Sequence, residues 1–515
     1  MIDYLVGADV GTGGTKTVII NNYGDILGQH FMEYPIITNN LGYCEQNPEY
    51  YWNAFVDTIN KILVESKVNP KNIKSVCISG MGPGCILIDK DLKALQACHI
   101  WMDRRAKKQS DWLKKNIGEE RIFSVSGNII DSYYGLTKLM WERDNRQELY
   151  KRTYKLQNPA DFIRMKLTNK LITDYSNASI LGIAFDIRNK KWDESLLKEI
   201  GIDISKIPQP FPCEEIIGNV TKSASLKTNI PEGTPVVAGT TDCNAAWVAV
   251  GAIEEGDISL TMGTSGVLGV VHKKDSFTKN MITIIHAADS KNNYTTLSAS
   301  MCGGIYRYYR DNFILEEINS TKNFGINTYD LMDFEASKIS PGSDGLITLP
   351  YLQGELTPNW DPNIRGLIFG LSLNHTRGHI LRSIMEGAGY AFKNNFNTIK
   401  KSNIKINAPV FISEGGAKSR LWRQIICDML ALSSVYVLNS NGAPFGSAIL
   451  AGVGNGIFKD FSIVKSWIRT IEKIEPIPAN VQIYDQYLKI FINLYKSNKK
   501  NYTKLAQINR FNLKF

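Results

Sequence analysis

Hydrophobic and polar positions in this chain follow two periods. Short apolar runs closed by glycine or proline predict strands, and longer stretches with apolar residues every three or four positions predict helices. Tyr4–Ile20 reads as a strand, a Gly/Thr turn and a second strand, and Ile26–Glu33 extends the meander. Pro48–Ser66 is helical by pattern, with Tyr51, Trp52, Phe55, Ile59 and Leu63 on one face. Ile73–Ser79 predicts a strand, Met81-Gly-Pro-Gly84 a turn and Cys85–Ile88 a returning strand. Polar helices are expected after Ile100–Arg105 and after Lys155–Asp161, with a polar bend at Thr173–Asn177. Further on, Ile258–Met262, Val267–Val271, Thr295–Ser300, Pro409–Ser413 and Val435–Leu438 read as strands. Met301–Arg307, Thr376–Asn395, Lys418–Leu432 and Pro444–Gly452 read as helices, the last of them closing the fold. Strands alternating with helices predict an α/β architecture.

The richest stretch is Pro235–Gly251. An apolar strand after Pro235 meets a small-residue helix, Asn244–Val250, and Asp242 stands at the junction. A carboxylate there is held by free helix N–H groups, which favour its charged form. An ionised, positioned aspartate is what a hydroxyl-activating base requires. The plain alternative is an N-cap with no further role. About twenty residues later Gly263-Thr264-Ser265-Gly266 joins two apolar runs, a turn that lets backbone N–H groups approach an anion.

The same arrangement occurs near the start. Asp9-Val-Gly-Thr-Gly-Gly14 also punctuates a strand pair. It is not a Walker A loop, because Thr15 precedes Lys16, and it is not a dinucleotide loop, because a strand follows. Thr12 and Gly13 are placed to face a phosphate, and Asp9 to reach a metal ion. One Gly/Thr hairpin signifies little, but two of them suggest a duplicated domain. Ala252–Asp257 is the natural boundary, giving expected domains 1–252 and 253–515.

Composition narrows the classes. A chain of 515 residues with 43% hydrophobic and 21% charged residues resembles ordinary globular proteins. No apolar run approaches the ~20 residues of a membrane span, and the first residues lack a signal-peptide layout. A cytoplasmic protein with no membrane partner is expected. The eight cysteines show no Cys-x-x-Cys spacing and read as buried free thiols. The net charge of +9 is compatible with an acidic small molecule such as a nucleotide. Part of it lies in the tail from Lys496, which reads as a solvated end. No stacking module or basic motif supports nucleic-acid binding.

Six segments together resemble the FGGY carbohydrate kinases, most closely the xylulokinase branch. They are Asp9–Thr15, Trp101-Met-Asp-Arg-Arg105, Gly239–Ala246, Met262–Gly266, Pro350–Glu355 and Gly415–Gln424. The resemblance implies two actin-like, ribonuclease-H-like domains with an interdomain cleft holding ATP and a sugar. It implies Asp242 as the base, Asp9 acting through Mg²⁺, and Thr12, Gly13, Gly263 and Thr264 on phosphate oxygens. Gly303, Gly415 and Gly416 would form the nucleotide wall. Met81, Gly82 and Asp103 would join Asp242 in the sugar site. In that branch the position of Gly82 is a histidine, so the sugar is open. A ketopentose such as D-xylulose comes first, giving xylulose 5-phosphate. Another ketose or polyol, erythritol or glycerol among them, follows. A homodimer is possible by analogy. The rival from another class is a non-catalytic sugar- or ATP-binding regulator; DNA-reading relatives of that kind carry a leading helix-turn-helix, whereas here the first strand begins by Tyr4.

Overall fold

The computed structural model describes residues 2–38, 42–66, 68–314, 325, 327–438 and 441–512. It forms two compact units whose segments interleave along the chain. The first comprises Met1–Glu255, Val271–Thr295 and Asn439–Ile468; the second comprises Gly256–Val270, Thr296–Leu438 and Arg469–Phe515.

The sheet of the first unit has the strand order Ile216–Asn219, Pro235–Thr241, Ile73–Gly80, Tyr4–Val10, Gly14–Asn21, Ile26–Glu33. Tyr4–Val10 runs antiparallel to Gly14–Asn21 and parallel to Ile73–Gly80, which is parallel to Pro235–Thr241. The four inner strands are covered on both faces and read as near-continuous apolar runs, whereas the edge strands Ile26–Glu33 and Ile216–Asn219 keep exposed positions. Val6, Ala8 and Val10 enter one core with Phe55, Ile59 and Ile163, while Leu5 points to the other with Val248 and Ile449. That split follows from the two-residue period of a strand.

The second sheet has seven strands, in the order Arg469–Ile474, Ser434–Leu438, Val410–Ser413, Ile258–Met262, Ser265–His272, Tyr294–Met301, Ile282–Ile285. Its hairpin is antiparallel, and its next two pairings are parallel. Its first six strands repeat the order of the first sheet, as the paired Gly/Thr turns predict, and Ile282–Ile285 is an added seventh.

Two expectations are revised and a third is refined. The bend at Thr173–Asn177 is a strand, Ile172–Asp174, running straight into the helix Tyr175–Leu181. Asp174 caps that helix by accepting from Asn177 N at 2.8 Å, and Arg164 pairs with the cap at 3.0 Å. The helix starting near Pro444, Gly442–Gly454, does not close the fold. The tail from Lys496 is mostly exposed, as expected, but it is the end of one helix, Pro478–Asn512, and its Tyr502 is buried. Tyr484, Leu488, Phe491, Tyr495 and Tyr502 make a buried stripe on that helix, packed against the helices Arg377–Lys400 and Arg420–Leu430. Its lysines occupy the opposite, exposed face.

All eight cysteines are free, with Cys44 and Cys243 partly exposed and the others buried. Among the described residues no helix is long and apolar enough to cross a membrane.

Candidate active site

In the first unit the strand Pro235–Thr241 delivers Asp242 to the first turn of the helix Asp242–Ala249. Gly446, on the helix Gly442–Gly454, lets that helix come close: a Cβ there would lie 1.8 Å from the Ala245 carbonyl oxygen. Asn244 pins the same turn, its Nδ2 donating to Ser176 Oγ and to the Ile285 carbonyl, both at 2.8 Å. Cys243 N donates to Asp242 Oδ1 at 2.7 Å. The helix N–H groups were expected to govern the charge of Asp242. Burial outweighs them, pushing the carboxyl up to about 6, with the Cys243 hydrogen bonds acting the other way. Asp242 keeps partial access to solvent. At neutral pH it is mostly ionised and yet basic enough to accept a proton.

Near it stands Tyr133, to which the sequence assigned no role. Tyr133 OH donates to the Gly82 carbonyl at 3.1 Å. Burial raises its phenol well above the usual range, helped by the nearby charges of Cys243 and Asp242. The Arg104 guanidinium lies 5.9 Å from the Tyr133 ring centre and pairs with Asp131. Lys138, fully buried, donates to the carbonyls of Ile100 at 2.7 Å and Pro83 at 3.1 Å, and desolvation pushes it down to about 8. A signal existed in the run Asp131-Ser132-Tyr133-Tyr134, polar and aromatic residues directly before a helix.

The first Gly/Thr turn is held from several sides. Thr12 Oγ1 accepts from Trp101 Nε1 at 2.9 Å and donates to Met81 Sδ at 3.4 Å. Its hydroxyl is therefore taken by the protein, and what it offers an anion is its N–H. Met81, expected against the sugar, is 2% exposed and packs behind this turn. Asp9 Oδ1 accepts from Ser79 Oγ at 2.8 Å.

Asp103 is placed differently from expectation. It is wholly buried, and its oxygens accept from Arg105 Nε at 2.9 Å, Arg105 Nη2 at 2.7 Å and Cys44 N at 2.8 Å. The Arg105 guanidinium in turn lies 3.7 Å from the Tyr43 ring centre and donates to Glu45 at 2.5 Å. Asp103 thus anchors the Trp101 segment instead of reaching into an open site. At Gly82 a Cβ would sit 2.1 Å from Ile180 Cδ1, the end of a flexible side chain that would have to move aside. Beside that point lies the carbonyl oxygen of buried Asn177, which has no hydrogen-bond partner.

In the second unit the turn after Ile258–Met262 is held, among the described residues, by backbone N–H groups. Gly303 N donates to Gly263 O at 2.8 Å, and Cys302 N and Gly304 N donate to Thr264 O at 3.1 and 2.9 Å. A Cβ on Gly303 would lie 2.7 Å from the Gly263 oxygen, so only glycine permits this contact. Gly416 backs onto Met262, with its ideal Cβ 3.0 Å from the Met262 oxygen, whereas Gly415 has nothing within 4 Å. Both glycines lie in a 3₁₀ turn, Gly415–Lys418, one turn before the helix Arg420–Leu430, which Ser419 caps. The expected direct strand–glycine–helix step is therefore longer by that turn.

Comparison with known proteins decides the family. The N-terminal domain pattern of the FGGY family of carbohydrate kinases matches residues 4–249, and its C-terminal domain pattern matches 258–454. The chain belongs to the FGGY family of carbohydrate kinases. It is 29% identical over 511 residues to the gluconokinase of Bacillus subtilis, covering 99% of each chain. It is 28% identical over 510 residues to the xylulose kinase of the same organism, covering 98% of this chain and 99% of the other. Among solved structures, xylulose kinase from Rhodospirillum rubrum superposes with a TM-score of 0.86 at 24% identity, over 97% of this chain and 100% of that one. Gluconate kinase from Lactobacillus acidophilus gives 0.89 at 22% identity, over 98% and 100%.

This FGGY kinase is an ATP-dependent sugar kinase, and enzymes of the family typically use a divalent metal as well. Among the described residues no three His, Cys, Asp or Glu side chains form a metal cluster. A single carboxylate such as Asp9 suits Mg²⁺, which is commonly held by one or two carboxylates with phosphate oxygens and water completing its shell.

Proposed function

We propose that this FGGY kinase transfers the terminal phosphoryl group of ATP to a hydroxyl of an open-chain sugar, with a ketopentose such as D-xylulose as the first candidate. The reading is carried by Asp242, half-buried, at the start of a pinned helix, with its carboxyl held at about 6. Such a group takes the hydroxyl proton as the new O–P bond develops charge on the attacking oxygen. In each unit, Thr12 with Gly13 and Gly263 with Thr264 offer backbone N–H groups to phosphate oxygens. Asp9 would hold Mg²⁺, which neutralises phosphate charge when bound.

A second substrate reading has one observation of its own. Arg104, about a quarter exposed at its side chain, lies beside Tyr133 and suits the carboxylate of an aldonate such as D-gluconate. Relatives of both names support the two candidates equally.

The test is ADP release measured across D-xylulose, other pentuloses, hexuloses, D-gluconate, erythritol and glycerol. The highest kcat/KM is expected for D-xylulose. A clear preference for D-gluconate would move the assignment to the aldonate, and release with none of them would remove the reading.

A further inference from the structure

We infer that Gln46 is a positioning residue for the first phosphate turn, aiming the Gly13 N–H outward, and that Tyr34 does the same for the N–H of Thr12. The inference rests on the reading that this turn binds phosphate, and it identifies what gives the turn that capacity.

The argument starts from the planar trans peptide, in which the C=O of one residue and the N–H of the next point in opposite directions. Whatever draws the Thr12 carbonyl into the protein turns the Gly13 N–H away from it. Gln46 Nε2 donates to Thr12 O at 2.8 Å. Likewise Tyr34 OH donates to Gly11 O at 2.7 Å, which turns the Thr12 N–H outward. The remaining carbonyls are also engaged, Gly13 O by Tyr34 N at 3.3 Å and Gly14 O by Gly11 N at 3.0 Å. All four oxygens of the turn face protein donors. Among the described residues neither Thr12 N nor Gly13 N has a protein acceptor, and an ideal Cβ on Gly13 meets nothing within 4 Å. Two adjacent unpaired N–H groups beside open space make an anion nest.

Gln46 is built for this task. It is wholly buried and sits in a short ladder with Cys98. Tyr51 OH donates to its Oε1 at 3.0 Å, so the amide is held with its NH₂ toward Thr12. The reversed amide would set two acceptors against each other. Tyr51 and Tyr34 meet edge to face at 5.3 Å between ring centres, which joins the two clamps into one device.

Gln46→Glu retains the shape and the Tyr51 contact but loses the donor; Gln46→Met retains only the volume; Tyr34→Phe tests the second clamp separately, should the Gln46 variants fold poorly. ATP and sugar binding are followed by calorimetry, and turnover is normalised to the folded fraction. Gln46→Glu is expected to weaken ATP binding by roughly tenfold and to lower kcat at least as much, with sugar affinity unchanged, the scale of losing one hydrogen bond. Tyr34→Phe should act in the same direction. Wild-type ATP affinity and kcat in both Gln46→Glu and Tyr34→Phe would overturn the inference, as would a change confined to sugar affinity. Weakened ATP binding in the variants of a wild type that phosphorylates none of the sugars would leave the inference standing and remove the proposed function instead.

Discussion

The two Gly/Thr turns occupy the same place in equivalent sheets, yet they are held by different means. The first is clamped by side chains, Trp101, Gln46, Tyr34 and Met81, each from a different segment of its unit. The second is clamped by the N–H groups of Cys302, Gly303 and Gly304, the opening of one helix. A turn held by side chains depends on distant residues that can be tuned singly. One held by backbone tolerates changes of side chain but not the addition of a Cβ at its contact point.

Asp242 sets the scale on which both turns are measured. Asp242→Asn should cost about 10²–10⁴-fold in kcat with sugar affinity retained, the usual range for removing a general base. The wild-type kcat/KM for the sugar, which reports the free enzyme, should fall tenfold per pH unit below about 6, where burial places this carboxyl, and steady-state assays across pH check both. Next comes the backbone clamp. Gly303→Val drives a side chain into the Gly263 oxygen and should lower kcat/KM for ATP by about 10²-fold without altering sugar binding. The side-chain clamp should break more gently. Thr12→Val strands the Trp101 indole N–H and should cost about tenfold, whereas Thr264→Val should stay within about twofold, because the second turn is fixed through the Thr264 carbonyl. Equal losses in the two valine variants would erase the contrast.

The smallest effect concerns stability. Burial holds the Asp242 carboxyl above the ordinary aspartate range in the folded chain, so folding favours its neutral form. Ionisation therefore destabilises the folded state above about pH 6, and below about pH 4 the effect is gone. Asp242→Asn should gain about 1–2 kcal/mol at pH 8 after allowance for partial exposure, and little at pH 4. Melting temperatures at the two pH values would show it; an unchanged or lowered value at pH 8 would contradict the assigned burial effect.

Where local signals agreed, the chain was legible. Pro48–Ser66 is a helix over those residues, and both hairpins and the strand-to-helix junction at Asp242 lie where the apolar runs and glycines put them. Local polarity misled at Thr173–Asn177, because Arg164, ten residues before Asp174, stabilises its cap and lets the helix begin at once. Beyond Lys496 the lysines are exposed as read, and only Tyr502 turns inward, continuing the buried face that Tyr484, Leu488, Phe491 and Tyr495 form earlier on the same helix. Asp103 looked like a site residue because a motif names positions, not neighbours; Arg105 and Cys44 N take its oxygens. Gln46 and Tyr133 carried no motif at all, and their partners lie tens of residues away in sequence.

By itself the sequence determined the alternation of strands and helices, the repetition of a glycine turn in two halves and the junction at which an aspartate meets a helix. These depend on spacing and on backbone preferences acting over a few residues. Only the tertiary structure decided that Asp103 is sealed behind Arg105, that the Thr12 hydroxyl belongs to Trp101 and Met81, and that burial rather than the helix N–H groups governs Asp242. Desolvation and hydrogen-bond satisfaction are properties of what surrounds a group in space, and that surrounding is assembled from distant parts of the chain.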